Sequence, residues 1–596
     1  MNLSLPAFIE KRSSFNPFVI SVTLLFVVAL VAMILIAPEK TQVLLDATKA
    51  GIFNHFSWFY VLAFSIFICF LVILSVSSLG SIKLGNDEEE PEFGVLSWLA
   101  MLFAAGMGVG LMFFGVAEPL SHYLSDITVG APEQREQQAL LHSMFHWGIH
   151  AWGVYGMIAL ALAYFGFRYK LPLALRSCFY PLFKERINGR LGDAIDIMAL
   201  LATLFGIITT LGFGATQMGA GLEQLGWISE NTFTLRIVVI AVVMALAVTS
   251  AISGVGKGVK LLSEINLCLA IALLVFVLAT GPTLHLLAAF SDNIGTYASN
   301  ILQLSFKTYT YEHEHTEWFT GWTILYWAWW CSWAPFVGLF IARISRGRTI
   351  RQFVTGVMFV PSVVSLIWFA IFGGGAIGLQ ERAERAGRTV DALVHLKADG
   401  TPDVNFDTIL FDLINAMPVH RAVLIVLMVL AVVLVAIFFV TGADSASIVM
   451  GGLSEKGAIE PSRFTVVFWG VATGGVASAM LLAGGDDPAE VLTGLRDITI
   501  VSALPFIFVM LLLCVSLYKD LNNDPMLLRH SLANQVLVDS VTSAVTTASE
   551  PHEVETIELH TTLSSTTNSE GGMNGEDGGQ ESEGDTADEP DRDRSR

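Results

Sequence analysis

Charge is scarce in this chain. Only 14% of its 596 residues are Asp, Glu, Lys or Arg, whereas 54% are hydrophobic, a balance that cannot cover the surface of a water-soluble protein of this length. Cysteine is also sparse: Cys69, Cys178, Cys268, Cys331 and Cys514 are scattered without paired spacing, which argues against a disulfide framework or a cysteine metal site. The sequence lacks an HExxH helix, a nucleophile elbow and a fitting Cys–His pair, so it is not read as an enzyme and calls for no cofactor. Its net charge of -20 argues against a nucleic-acid partner. Lys11 and Arg12 precede the first apolar run, but no Ala-x-Ala-like cleavage site follows it, so the run is expected to be a retained helix.

What the chain does have is apolar length. Runs able to cross about 30 Å of hydrocarbon recur near 17–38, 57–78, 94–117, 143–165, 193–219, 232–252, 261–284, 322–341, 353–376, 420–445, 464–483 and 499–518. These predict an all-α membrane protein of twelve spans. Lys and Arg gather in alternate connections: Lys83, the group from Arg168 to Arg190, Lys257 with Lys260, Arg343 to Arg351, and Lys456 with Arg463. That alternation predicts cytoplasmic termini. From about Thr546 the chain turns acidic and rich in Ser, Thr and Gly, without aromatics, and is expected to be disordered.

Two of the spans carry polar or glycine interruptions. AAGMGVGLMFFG at 104–115 places Gly106, Gly108 and Gly110 within five residues. A packing face repeats every three or four residues, so this spacing favours a broken helix whose exposed backbone could hold a cation or a substrate group. A close-packed crossing of intact helices is the alternative. FFVTGADSAS at 438–447 sets Thr441, Asp444, Ser445 and Ser447 in a second span. A carboxylate there needs a partner or an aqueous path, and both a capping role and a transport role fit Asp444.

Six of the 13 tryptophans lie between Trp318 and Trp333. Trp327, Trp329, Trp330 and Trp333 fall within seven residues, denser than an interfacial belt requires. HWGIHAWGVYG adds Trp147, Trp152 and Tyr155. A quaternary ammonium offers no N–H, so ring faces select it, at about 0.5–2 kcal/mol per cation–π contact. Belt and core packing are the alternatives. His146 and His150 stand four apart, but no acidic third ligand lies nearby in sequence, so no metal is assigned to them.

These pieces together, GMGVGLMFFGVAEP (106–119), HWGIHAWGVYG (146–156), GWTILYWAWWCSWAPFVGLFIARISRGR (321–348) and FFVTGADSAS (438–447), resemble the betaine/choline/carnitine transporters over roughly residues 10–520, and within them the sodium-coupled glycine betaine carriers. The resemblance implies a LeuT-like core of two inverted five-helix repeats preceded by two further helices. On this chain the parts would be a cytoplasmic segment 1–16, two peripheral helices in 17–90, repeats in 91–290 and 291–520, and a cytoplasmic region 521–596. It implies a homotrimer in the cell inner membrane, in contact with lipid, importing a betaine-like osmoprotectant by symport. The trimethylammonium would lie among Trp147, Trp152, Tyr155, Trp327, Trp329, Trp330 and Trp333, with Met107 and the backbone at Gly110. Sodium, the only metal implied, would be held by Ala104, Met107, Phe438 and Thr441. Gly106, Gly108, Gly110 and Asp444 would serve the helix break or gating. Choline carriers tend to carry Asp where this chain has Gly110, and sodium carriers a serine where it has Gly442. Proton-coupled uptake of choline or another betaine-like osmolyte, and sodium-coupled uptake of ectoine or carnitine, are the alternatives.

Overall fold

The computed structural model describes residues 15–106, 108–253, 260–388, 391–397, 401–483 and 488–548. Among them, eleven helices are long and apolar enough to cross a membrane. The predicted span at 94–117 is absent from that set because it is divided. Helix α3 (Val95–Gly106) and helix α4 (Gly108–Tyr123) flank residue 107, and each is shorter than a bilayer crossing.

Two helices lead the chain. In α1 (Pro17–Ile36), the Asn16 side chain accepts from the Val19 amide and Pro17 sits in the first turn, which together fix the start. Helix α2 (Pro38–Val76) is far longer than the 57–78 segment read from hydropathy, because a polar half precedes its apolar one.

The predicted fourth span is also jointed, at Gly148, into α5 (Pro132–Trp147) and α6 (Ile149–Ala163). A Cβ at Gly148 would stand 2.3 Å from the Tyr297 hydroxyl and 2.6 Å from the Met144 carbonyl, so only glycine fits. Tyr297 Oη accepts from the Ile149 amide at 3.0 Å, restoring a bond that the joint leaves open.

There follow α7 (Arg190–Gln224), α8 (Phe233–Ser253), α9 (Lys260–Thr280) and α10 (Thr283–Phe306). Sequence reading left α10 as a connection. It buries Leu286, Asn293 and Tyr297 and exposes Leu284, Leu287 and Leu302. Helix α11 (Leu325–Ile344) carries the tryptophan run, and α12 (Ile350–Arg385) includes two π-helical turns, Thr355–Phe359 and Phe369–Gly373. A two-stranded antiparallel hairpin pairs His395 with Asp403 and Leu396 with Pro402. Helices α13 (Ile409–Asn415), α14 (Arg421–Ser454), α15 (Arg463–Ala483), α16 (Pro488–Leu521) and α17 (Pro525–Ala548) complete the described chain.

Contacts divide the chain into a main unit, Met1–Leu532, and a second unit, Ala533–Arg596. In the second unit the description covers only the continuing turns of α17. The tail predicted to be disordered from about 546 lies otherwise outside the described residues.

Within the main unit, α11 packs against α6, α7 against α14 and α16, and α8 against α14. Indoles fill the centre: Trp152, Trp327, Trp330, Trp368 and Trp469 are fully buried. Several pack onto a missing side chain. A Cβ at Gly115, Gly206 or Gly356 would lie 2.5 Å, 2.7 Å and 2.2 Å from atoms of Trp368, Trp333 and Trp98, respectively. The outer faces stay apolar, with Leu25, Ile36, Leu246 and Val275 exposed. Hydrocarbon rather than water suits such surfaces, and the chain is a multi-pass membrane protein.

Candidate functional site

Helix α4, which follows the interruption, packs against α5, which ends at the joint at Gly148. Gly108 adopts φ +25, a conformation costly for other residues. Gly106 closes α3, and Met107 lies outside the described residues. Two residues into α4, a Cβ at Gly110 would be 2.8 Å from Trp147 Cη2 and 3.4 Å from Trp329 Cη2. The broken helix and the aromatic helices therefore touch through a glycine.

Five of the predicted rings come together. Trp147 meets Trp330 edge-on at 4.9 Å between centroids and Trp329 at 6.1 Å. Trp329 and Trp330 lie face to face at 5.1 Å and 9°, Tyr155 stands edge-on to Trp330 at 6.0 Å, and Trp152 edge-on to Tyr155 at 5.7 Å. The joint at Gly148 makes this possible, since it redirects α6 between Trp147 and Trp152. The Trp329 indole N–H and the Tyr155 hydroxyl are buried without a hydrogen-bond partner.

Of the other two predicted rings, Trp333 borders the cluster and Trp327 sits elsewhere. Trp333 is 5.8 Å from Trp329 and donates its N–H to the Gly206 carbonyl at 3.0 Å, so it also ties α11 to α7. Trp327 faces away from the five, stacked on Phe64 of α2 at 4.7 Å and 13° and on His150 at 5.2 Å.

Beside the five lies a cavity of about 290 Å³ lined by Phe114, Thr209, Phe213, Trp322, Tyr326, Trp329, Phe406 and Thr499. Of the described residues assigned to the site from sequence, Trp329 alone lines it, so this indole stands between cavity and ring cluster. Sequence reasoning missed the remaining walls. Tyr326 was within reach, at three and four positions from Trp329 and Trp330 on one helix face. Phe406 follows the hairpin, and no spacing points to it.

Glu118 was missed too, although it stands inside a quoted motif. Its carboxylate is fully buried. One oxygen accepts from Trp147 Nε1 at 2.8 Å and from the Tyr326 hydroxyl. The other meets His146 Nδ1 at 2.7 Å and His122 Nε2 at 3.2 Å. The acid absent from the neighbourhood of His146 in sequence is thus supplied by α4, and its second histidine is His122 rather than His150. Glu118, His122 and His146 place ligand atoms within 4.8 Å of one another. However, Trp318 Nε1 bonds the other nitrogen of His122 at 3.1 Å, and Thr323 that of His146 at 3.0 Å. With four donors on the carboxylate and both rings engaged, the group is satisfied as a hydrogen-bond network without a cation.

Of the residues expected to hold sodium, Ala104, Phe438 and Thr441 lie on two helices that pack together, α3 and α14, and Met107 is outside the described residues. Ala104 is in the last turn of α3. Phe438 and Thr441 are buried on α14, where the Thr441 hydroxyl donates to the carbonyls of Ile437 at 3.0 Å and Phe438 at 3.1 Å. At Gly442 the nearest atom to an added Cβ is Ile207 Cδ1 at 3.9 Å, so space for a side chain exists. The expected irregularity at 438–447 is no break, since α14 runs unbroken from Arg421 to Ser454. Asp444 instead accepts from Ser250 of α8 at 2.7 Å and from Ser445 at 3.0 Å. That satisfies a buried acid locally, in keeping with the capping alternative.

Comparison with known proteins places these features. The betaine/carnitine/choline family transporter model matches residues 18–526. This chain belongs to that family. The transporter is 61% identical over 515 residues, 86% of this chain and 74% of the relative, to an uncharacterized transporter of Haemophilus influenzae. It is 42% identical over 491 residues (82% and 91%) to the glycine betaine transporter OpuD of Bacillus subtilis. It is 43% identical over 517 residues (86% and 74%) to a glycine betaine transporter of Acinetobacter baylyi. Family membership makes the chain a transporter and not an enzyme.

Proposed function

We propose that this transporter imports glycine betaine, or a closely similar quaternary-ammonium osmolyte, by sodium-coupled alternating access. The observation that carries the reading is the convergence of Trp147, Trp152, Tyr155, Trp329 and Trp330 beside the break in α3/α4. Rings that meet both edge-on and face to face offer faces and edges to a methylated ammonium that cannot hydrogen-bond. The unpaired Trp329 N–H is a donor for the ligand's carboxylate. Betaine would pass through the 290 Å³ cavity, displace Trp329 and enter the ring cluster. Three relatives carry glycine betaine in their names, which agrees with this solute.

Sodium would be held between α3 and α14 by backbone oxygens of Ala104, Met107 and Phe438 and by the Thr441 hydroxyl, the kind of oxygen site that a broken helix provides. One coupled cation gains about 2.3 kcal/mol per 100 mV, against about 1.4 kcal/mol for tenfold accumulation. The two inverted repeats, cytoplasmic termini, inner-membrane location and trimeric state implied by the family resemblance belong to the same proposal. Proton coupling is the second reading, favoured by one observation: Gly442 withholds a hydroxyl beside Thr441.

The test is radiolabelled uptake by the purified chain in proteoliposomes, with betaine, choline, carnitine and ectoine compared. Betaine uptake should collapse when external potassium replaces sodium at constant pH, and Trp330→Leu should weaken betaine binding strongly. Undiminished uptake driven by a proton gradient alone would select the second reading. Unchanged betaine affinity in Trp330→Leu would remove the aromatic site.

A further inference from the structure

The Trp147 indole spans two features that sequence reading treated separately. Its six-membered ring abuts Gly110 at the helix break, and its N–H points the other way, onto the buried Glu118 carboxylate at 2.8 Å. A formally anionic group therefore sits behind one wall of the ring cluster, bonded to that wall. Lys and Arg are absent from its hydrogen-bond shell, which is made of Trp147, Tyr326, His122 and His146.

We infer that Glu118 is a specificity-determining positioning residue that makes the Trp147 face electron-rich and thereby biases the site toward a cationic head group over a neutral one of the same shape. The inference rests on the aromatic-site reading above and deepens it. An N–H that donates to a carboxylate leaves more electron density in its ring, and a cation is attracted by that ring density. In a buried, low-dielectric setting the negative charge itself also acts through the ring thickness.

The arrangement avoids the penalty of a free acid beside a zwitterion. All four hydrogen-bonded contacts on Glu118 are protein donors, so the carboxylate neither touches the ligand nor competes with its carboxylate. The same bonds fix the Trp147 plane, because an indole held at its nitrogen cannot swing away from Gly110 without leaving a buried acceptor short of a donor. A metal would have to displace the donors of Trp147 and Tyr326 and the partners of His122 and His146.

The experiment compares two ligands that differ only in charge. Glycine betaine and 3,3-dimethylbutanoate share a carboxylate and a three-methyl head, but the second has carbon in place of the ammonium nitrogen. Binding of radiolabelled betaine to the full chain in proteoliposomes is measured directly, and binding of the analogue by competition. In Glu118→Gln, betaine affinity should fall roughly fivefold or more while the analogue's stays within about twofold. A proportional fall for both ligands, or no fall in either, overturns the inference.

A second measurement needs no analogue binding. Trp147→Phe keeps a ring and deletes the donor, so the losses from Glu118→Gln and Trp147→Phe should be strongly sub-additive in the double variant. Additive losses overturn the inference. Should Glu118→Gln not fold, Trp147→Phe alone is carried through the two-ligand comparison with the same expectation. Trp147→Leu separates the two levels. If it leaves betaine binding intact, the aromatic-site reading itself fails; if it abolishes binding while Glu118→Gln spares it, only the role of Glu118 fails.

Discussion

Gly110 and Trp147 are in contact across the helix break: a Cβ on the glycine would fall 2.8 Å from Cη2 of the indole. Even alanine must therefore push the ring, and Glu118 resists from the far end through the N–H bond. Gly110→Ala should lower betaine affinity by about 2–30-fold, the value of one cation–π contact, and Gly110→Asp by more. Equilibrium binding in detergent checks this, and an alanine variant with native affinity would mean that Trp147 has room to move.

Trp327 and Trp330 are neighbours on α11 with different surroundings, which gives a second prediction. Trp327→Leu leaves a hole against Phe64 and His150 and should cost about 3 kcal/mol of stability, read as a lower thermal midpoint, while the surviving protein binds betaine normally. Trp330→Leu should show the reverse balance, with binding lost beyond any loss of stability.

Coupling can be probed by adding what the chain lacks. Since the closest atom to a Cβ at Gly442 is 3.9 Å away, Gly442→Ser should fold and place a second hydroxyl beside Thr441. The expected result is a severalfold lower half-saturating sodium concentration for betaine uptake. An unchanged sodium dependence would speak against a sodium site at Thr441.

A fourth prediction concerns the fold. Arg176 bonds Asp196 at 2.5 Å and Asp193 at 2.8 Å, and Asn16 bonds Asp193 at 2.8 Å. Asp196 is fully buried. Arg176→Ala should destabilise the protein by about 3–5 kcal/mol by stranding that charge, and adding Asp196→Asn should restore much of the loss. Thermal unfolding of the three proteins decides it.

The membrane class, the helix break and most of the ring cluster were legible in the sequence because each leaves a local trace. Hydropathy marks helices, a GxGxG run marks a break, and tryptophans three or four apart share a face. Legibility failed where position depends on a partner far along the chain. Trp327 belongs to the same stripe as Trp330, yet Phe64 claims it. Glu118 looks like one more helix residue until α5 and α11 deliver three donors to it, beside His122 of its own helix. Phe406 reaches the cavity from a segment with no periodicity at all. Asp444 drew attention through its charge, and its answer, Ser250, sits on another helix.

The face-to-face pair of Phe64 and Trp327 has a mechanical corollary. It rivets a leading helix to the element that carries the tryptophan run, so α11 cannot tilt relative to α2 without shearing two flat surfaces. Any rocking that opens the pathway must either carry the leading pair along or slide on that bearing.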